Sequence, residues 1–166
     1  MGCRLLLLRH AKSDWDAAYD HDHDRPLARR GVRDARLIGR FLTAAGQAPD
    51  LAIHSTAIRA TRTAELAAEA GGWSCPVHAT GELYEADFMA LLSVVHHADP
   101  AATRLLLVGH QPLWSIAAAR LIGGGAIRLP TAAVACIRFE VSDWRSVTEG
   151  SGELAWLITP KLLRGV

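Results

Sequence analysis

The chain has little with which to cross a membrane, staple itself, or attract a polyanion through its overall charge. Its three cysteines, Cys3, Cys75 and Cys136, are an odd number without metal-ligand spacing. They read as reduced thiols, which excludes a disulfide framework and a cysteine-based site. No apolar run approaches the ~20 residues of a membrane-spanning helix. The first one, Leu5 to Leu8, is cut off by Arg9-His10. It is too short for a signal peptide and no cleavage site follows, so a cytoplasmic location without membrane contact is expected. Eighteen basic and 17 acidic residues leave a formal charge of +1, so no net field favours nucleic acid or an anionic membrane. The five tryptophans are scattered, without the basic interleaving of a base-stacking surface. Gly123-Gly124-Gly125 has neither the Lys-Ser/Thr sequel nor the strand position of a nucleotide phosphate loop. Disorder is excluded too, because half the residues are apolar and only 21% are charged. A length of 166 residues suits one domain over residues 1–166.

What is present is an alternation of strands and helices. Cys3 to Leu8 reads as a buried strand and Ser13 to Arg25 as a polar loop. Arg30 to Ala45 has an apolar stripe at Ala35, Ile38 and Leu42, the spacing of an amphipathic helix. A strand at Leu51 to His54 and an alanine-rich helix at Ile58 to Ala70 follow, then a weak strand at Pro76 to Ala79 and a helix at Ala86 to His97. Leu105 to Val108 is a second buried strand, and a helix at Leu113 to Ile122 leads to the glycine triplet. Two more strands, Ala133 to Val141 and Glu153 to Ile158, are joined too briefly for a crossover and should be antiparallel. The order predicts a three-layer α/β/α sandwich around a mixed, mostly parallel sheet.

Two of these strands end in histidine. Leu5-Leu6-Leu7-Leu8-Arg9-His10 delivers a guanidinium and an imidazole to the carboxyl end of a strand, and Leu105-Leu106-Leu107-Val108-Gly109-His110 repeats the pattern. Open α/β sheets place ligands at that edge. Arginine forms a planar fork that matches phosphate oxygens, and histidine can carry a phosphoryl group. Arg59 stands at the start of the helix after the second strand, where free amides also favour an anion. Arg62 shares its face one turn on, and Lys12 follows His10 closely; both are weaker candidates. For a general acid, Glu82, Glu85 and Asp87 all follow the third strand, though acids also favour helix starts for structural reasons alone. His21 and His23 alternate with Asp20, Asp22 and Asp24 but are too close in sequence to surround one ion unaided, and read as a solvated loop. No metal or other cofactor is expected.

These motifs together resemble the histidine phosphatase superfamily. Leu7 to Ser13, Leu-Leu-Arg-His-Ala-Lys-Ser, is similar to its Arg-His-Gly signature, and Ala11-Lys12-Ser13-Asp14-Trp15 looks like the SixA branch of small phosphohistidine phosphatases. The likeness continues through Asp24-Arg25-Pro26-Leu27, Arg30-Gly31, Ser55 to Ala64, Leu83-Tyr84-Glu85-Ala86 and Val108 to Pro112. It implies a phosphoglycerate mutase-like, six-stranded sheet with the His10 and His110 strands adjacent. His10 would be the nucleophile, Arg9 and Arg59 would hold the phosphoryl oxygens, and His110 would complete the pocket. Glu85 falls where larger relatives carry a proton-donating glutamate, although the SixA branch often manages without one. Ala11 in place of glycine and Lys12 in place of the mutases' glutamate favour the SixA-like branch.

The expected reaction is hydrolysis of phosphohistidine on a protein, such as a histidine-containing phosphotransfer domain, through phospho-His10. Only 22 residues separate Arg59 from Glu82, and a helix and a strand use them, so little remains for a lid over a small metabolite. The competing readings are a phosphatase for small phosphomonoesters and a non-enzymatic phosphoprotein-binding domain. The chain is expected to be a monomer or weak dimer.

Overall fold

A computed structural model of the chain describes residues 2–165. Six strands form one sheet in the order β3-β2-β4-β1-β5-β6. They are β1 (Cys3–Arg9), β2 (Leu51–Ser55), β3 (Val77–Thr80), β4 (Arg104–Gly109), β5 (Val134–Phe139) and β6 (Gly152–Ile158). The first four are mutually parallel; β5 runs antiparallel to β1, and β6 antiparallel to β5. The helices are α1 (Arg29–Ala44), α2 (Ile58–Gly71), α3 (Phe88–His96), α4 (Leu113–Leu121) and the short α5 (Pro160–Leu163).

The two central strands β1 and β4 carry apolar runs, Leu5 to Leu8 and Leu105 to Val108, because both of their faces are covered. Leu5 and Leu7 of β1 meet Leu105 and Leu107 of β4 in one core, capped by α3 and α4. Leu6 and Leu8 meet Leu106 and Val108 in the other, against Ala35, Ile38 and Leu42 of α1 and Ala60 and Ala64 of α2. The expected α/β/α layering, the parallel β1–β4 pair and the antiparallel final pair are all present.

The structure departs from the sequence-based boundaries where side chains compete for backbone groups. The third helix starts at Phe88 rather than Ala86 because the Asp87 carboxylate accepts a hydrogen bond from the Ala90 amide, 2.9 Å away. That is an N-cap, which ends the preceding loop. The segment from Ser13 to Arg25 is more than a solvated loop. Ser13 bridges to Leu27, Asp22 to Asp24 make a 3-10 turn, and Arg25 is buried with its guanidinium 3.6 Å over the Trp15 ring. The N-terminal turn of α1 presses on this segment: Gly31 lies so close to the Lys12 carbonyl that a Cβ would fall 2.1 Å from its oxygen.

Candidate active site

Register builds the site. Arg9 is the last residue of β1 and lies opposite Gly109, the last of β4. His10 and His110 therefore leave the sheet side by side, with ring centroids 5.2 Å apart. β2 flanks β4 on its other side, and its exit into α2 supplies Arg59. Thr63, one turn along α2, joins the two regions: it accepts from the Ala11 amide at 3.0 Å and donates to the Arg59 carbonyl at 2.6 Å.

The protonation of His10 follows from its surroundings. Its Nδ1 is 2.7 Å from the Ala11 carbonyl oxygen. A carbonyl only accepts, so Nδ1 carries the proton and Nε2 keeps its lone pair. Burial is the main force lowering its pKa, to about 3, and His110, Arg59 and Arg9 add to it. Burial, with Arg59 next, lowers His110 to about 4. Both rings are neutral at pH 7.

Ser55, at the end of β2, is fully buried and sets the other ring. Its Oγ accepts from the Ala57 amide at 3.2 Å and lies 2.8 Å from His110 Nε2. Among the described residues, the acceptor offered to the hydroxyl proton is that Nε2. The proton of His110 therefore sits on Nδ1, which is buried and has no partner among the described residues. Arg9 Nε and Arg59 Nε are likewise buried and unpartnered. Three N–H donors without acceptors among the described residues thus belong to residues that share a cavity with the neutral His10 ring, an arrangement suited to a tetrahedral anion.

A cavity of about 230 Å³ is lined by Arg9, His10, Arg59 and His110 together with Lys12, Arg25 and Trp15. All four leading candidates are brought together, and Lys12 joins them. Arg62 does not: it lies exposed, 2.5 Å from the Glu65 carboxylate. Glu85 and Glu82 are exposed and outside the cavity lining, and Asp87 is spent on its cap.

The carboxylate that does reach the arginines is Asp22, from the segment read as solvated. It lies 2.9 Å from Arg59 and 2.5 Å from Arg25, and accepts from the Tyr84 hydroxyl at 3.2 Å. Partial burial opposes its ionisation, but the two guanidiniums prevail and hold it below the usual carboxylate range. His23 is 2.9 Å from the Thr56 hydroxyl. Among the described residues no group of three or more His, Cys, Asp or Glu is placed to hold a metal ion. Asp22 and Ser55 escaped the residue-level reading because their roles depend on contacts between distant segments, and Arg25 because its burial depends on the folding of the loop around it. For Arg25, its place in the Asp-Arg-Pro-Leu match was the available signal.

Comparison with known proteins agrees with this geometry. Residues 5–93 match the model of the histidine phosphatase superfamily (branch 1), a span that includes Arg9, His10 and Arg59. An uncharacterized protein of Mycobacterium leprae is 32% identical over 166 residues, covering 93% of this chain and all of that one. A 2,3-bisphosphoglycerate-dependent phosphoglycerate mutase of Streptomyces avermitilis is 38% identical over 92 residues, 53% of this chain and 36% of the mutase. Among solved structures, a Nakamurella multipartitia protein with the provisional name phosphohistidine phosphatase SixA superposes with a TM-score of 0.82 at 28% identity, covering 96% of this chain and 97% of its own. No helix among the described residues is long and apolar enough to cross a membrane. The sheet order, the paired histidines at its edge and the matched span lead to one assignment: the chain belongs to the histidine phosphatase superfamily, branch 1, and is a phosphatase-type hydrolase acting on phosphoryl groups through an active-site histidine.

Proposed function

We propose that the protein is a phosphohistidine phosphatase acting on a phosphorylated protein such as a histidine-containing phosphotransfer domain. The observation that carries this reading is that His10, its Nδ1 donating to the Ala11 carbonyl, stands in a small cavity with no Asp or Glu among its lining residues. His10 Nε2 attacks phosphorus, and the bond to the substrate nitrogen breaks. The electron pair ends on that nitrogen, and the imidazole departs neutral because its other ring nitrogen already carries a proton. Water then attacks phosphorus, and the P–N bond to His10 breaks with its pair returning to Nε2. The proton of the water passes to the phosphate released. Arg9, Arg59 and His110 Nδ1–H oppose the charge on the phosphoryl oxygens in both steps. No metal takes part in this scheme.

The leaving group separates the substrates. A sugar or serine phosphate leaves as an alkoxide and requires a proton donor, whereas imidazole leaves readily. Glu85 stands outside the cavity lining and Asp22 is held ionised, which makes it a poor donor. The cavity is also below the ~300 Å³ at which small-molecule pockets usually begin. A side chain presented by another protein suits it better than an enclosed metabolite. Across a panel of substrates, kcat/KM should be highest for phosphohistidine proteins, and E85Q should leave P–N cleavage unchanged. The partial match to a phosphoglycerate mutase favours the second reading, a phosphatase for small phosphomonoesters. Preference for a metabolite phosphate over every phosphohistidine protein, with P–O cleavage slowed by E85Q, would establish it instead.

Ser55 provides a second check. S55A removes the group that fixes the His110 tautomer, and loss of such an orienting partner typically costs about 10-fold or more. The kcat of S55A should fall by that amount while S55T, which keeps the hydroxyl, retains most of it. Equal activity in S55A and the native enzyme would show that the tautomer needs no help.

A further inference from the structure

The near-neutral total charge conceals a segregated one. Five of the eighteen basic residues lie on α1 with a single acid, Asp34, so that helix carries +4 and the rest of the chain −3. Arg29, Arg30, Arg33, Arg36 and Arg40 are all exposed. Asp34 is buried and already shared by Arg30, at 3.8 Å, and Arg164. Arg29, Arg33, Arg36 and Arg40 have no carboxylate partner among the described residues, whereas Arg62, Arg120 and Arg138 on other faces are each paired with a glutamate. The four unpaired residues are spaced four, three and four apart, so they form one stripe along the helix. Like charges at this spacing destabilise a helix. No carboxylate among the described residues neutralises the stripe.

The stripe also leads to the active site. The phosphoryl cavity shares Thr131 with a cleft of about 240 Å³ lined by Arg30, Lys161 and Arg164. That cleft shares Arg30, Asp34 and Arg164 with a groove of about 440 Å³ running past Arg33, Arg36 and Arg40. Both openings are free of aromatic rings, so neither offers a base-stacking platform.

The geometry points to the α1 arginine stripe as a docking surface for an acidic face of the phosphoprotein substrate, an inference that rests on the reading of a protein substrate given above. Arginine suits this task because its planar fork takes a carboxylate bidentately. Charges matched across such a surface accelerate encounter and set partner choice, with little effect on the chemistry once the phosphoryl group is seated. A small molecule confined to the cavity never touches the stripe.

The test compares the native enzyme with R33E/R36E/R40E on three probes: a phosphohistidine protein of net negative charge, one of net positive charge, and an aryl phosphate. For the acidic protein, kcat/KM should fall about tenfold or more in the variant, through KM, and its dependence on NaCl should flatten. The basic protein should be turned over no worse, and the aryl phosphate at the native rate, which also reports an intact fold. R33Q/R36Q/R40Q should give a smaller loss of the same kind. Unchanged kcat/KM for the acidic protein in both variants would overturn the docking surface while leaving the phosphohistidine activity standing. Native enzyme that cleaves the aryl phosphate but neither protein would overturn both. Tight binding of a DNA duplex, lost in the variant with phosphoprotein turnover intact, would assign the stripe to nucleic acid and overturn the proposal.

Discussion

H10A should bring turnover to the uncatalysed background and abolish a covalent intermediate that the native enzyme forms. Brief incubation with labelled substrate followed by denaturation should leave label on the native chain that acid removes and alkali does not, the signature of a phosphoramidate. H10A should trap none, whereas H110A should still trap some if His110 assists the transfer without receiving the group, as proposed. The environment of His10 adds a pH signature. Its folded pKa of about 3 lies below its ordinary 6.5, and that of His110 is about 4, with burial the first cause in each. His10 therefore stays unprotonated across the neutral range, and an acid limb that reports it should lie at about 3. Linkage has the corresponding sign. Below pH 6.5 the unfolded chain takes up protons that the folded one refuses, so stability is full above that value and declines as the pH falls toward the folded pKa values. Undiminished hydrolysis by H10A, or label stable to acid, would place the covalent step elsewhere.

R59A should lower kcat/KM by about 100-fold or more, the usual cost of removing a preorganised transition-state donor. Two features make the loss large. Arg59 is buried, and its Nε has no partner among the described residues. Its removal also strips Asp22 of a countercharge, leaving a freer carboxylate near the incoming anion. R59K restores charge without the two-pronged geometry that now spans the Asp22 carbonyl and carboxylate and should recover only part of the rate. R62A is the matched control. Arg62 is exposed on the same helix and paired with Glu65, so its loss should change the rate by a few-fold at most. Comparable losses in R59A and R62A would mean that α2 attracts substrate by its general charge rather than through one donor.

Legibility in the sequence followed how local each interaction is. The strands ending in Arg9-His10 and Gly109-His110 were readable because a doubly covered parallel strand must be apolar at every position, so the first polar residue marks its end. Arg59 was readable as a helix start. The third helix began two residues late because a side-chain cap, rather than apolar periodicity, sets that boundary. Glu85 was a motif match, and the structure leaves it exposed outside the cavity. A net charge of +1 suggested no electrostatic surface, since a total carries no information about separation.

The sequence by itself determined the layered fold, the family, and the placing of Arg9, His10 and His110 at strand ends and of Arg59 at a helix start, because hydrophobic burial and strand polarity act over a few neighbouring residues. Only the tertiary structure decided the rest. The pairing of β1 with β4 places two histidines 5.2 Å apart. Ser55, fifty-five residues from His110 in the chain, sets that ring's tautomer. The Asp22 turn folds back onto Arg59 and makes a polar loop part of the site. Hydrogen bonds and ion pairs act over a few ångströms of space regardless of chain separation, so these partners exist only once the chain has closed around them.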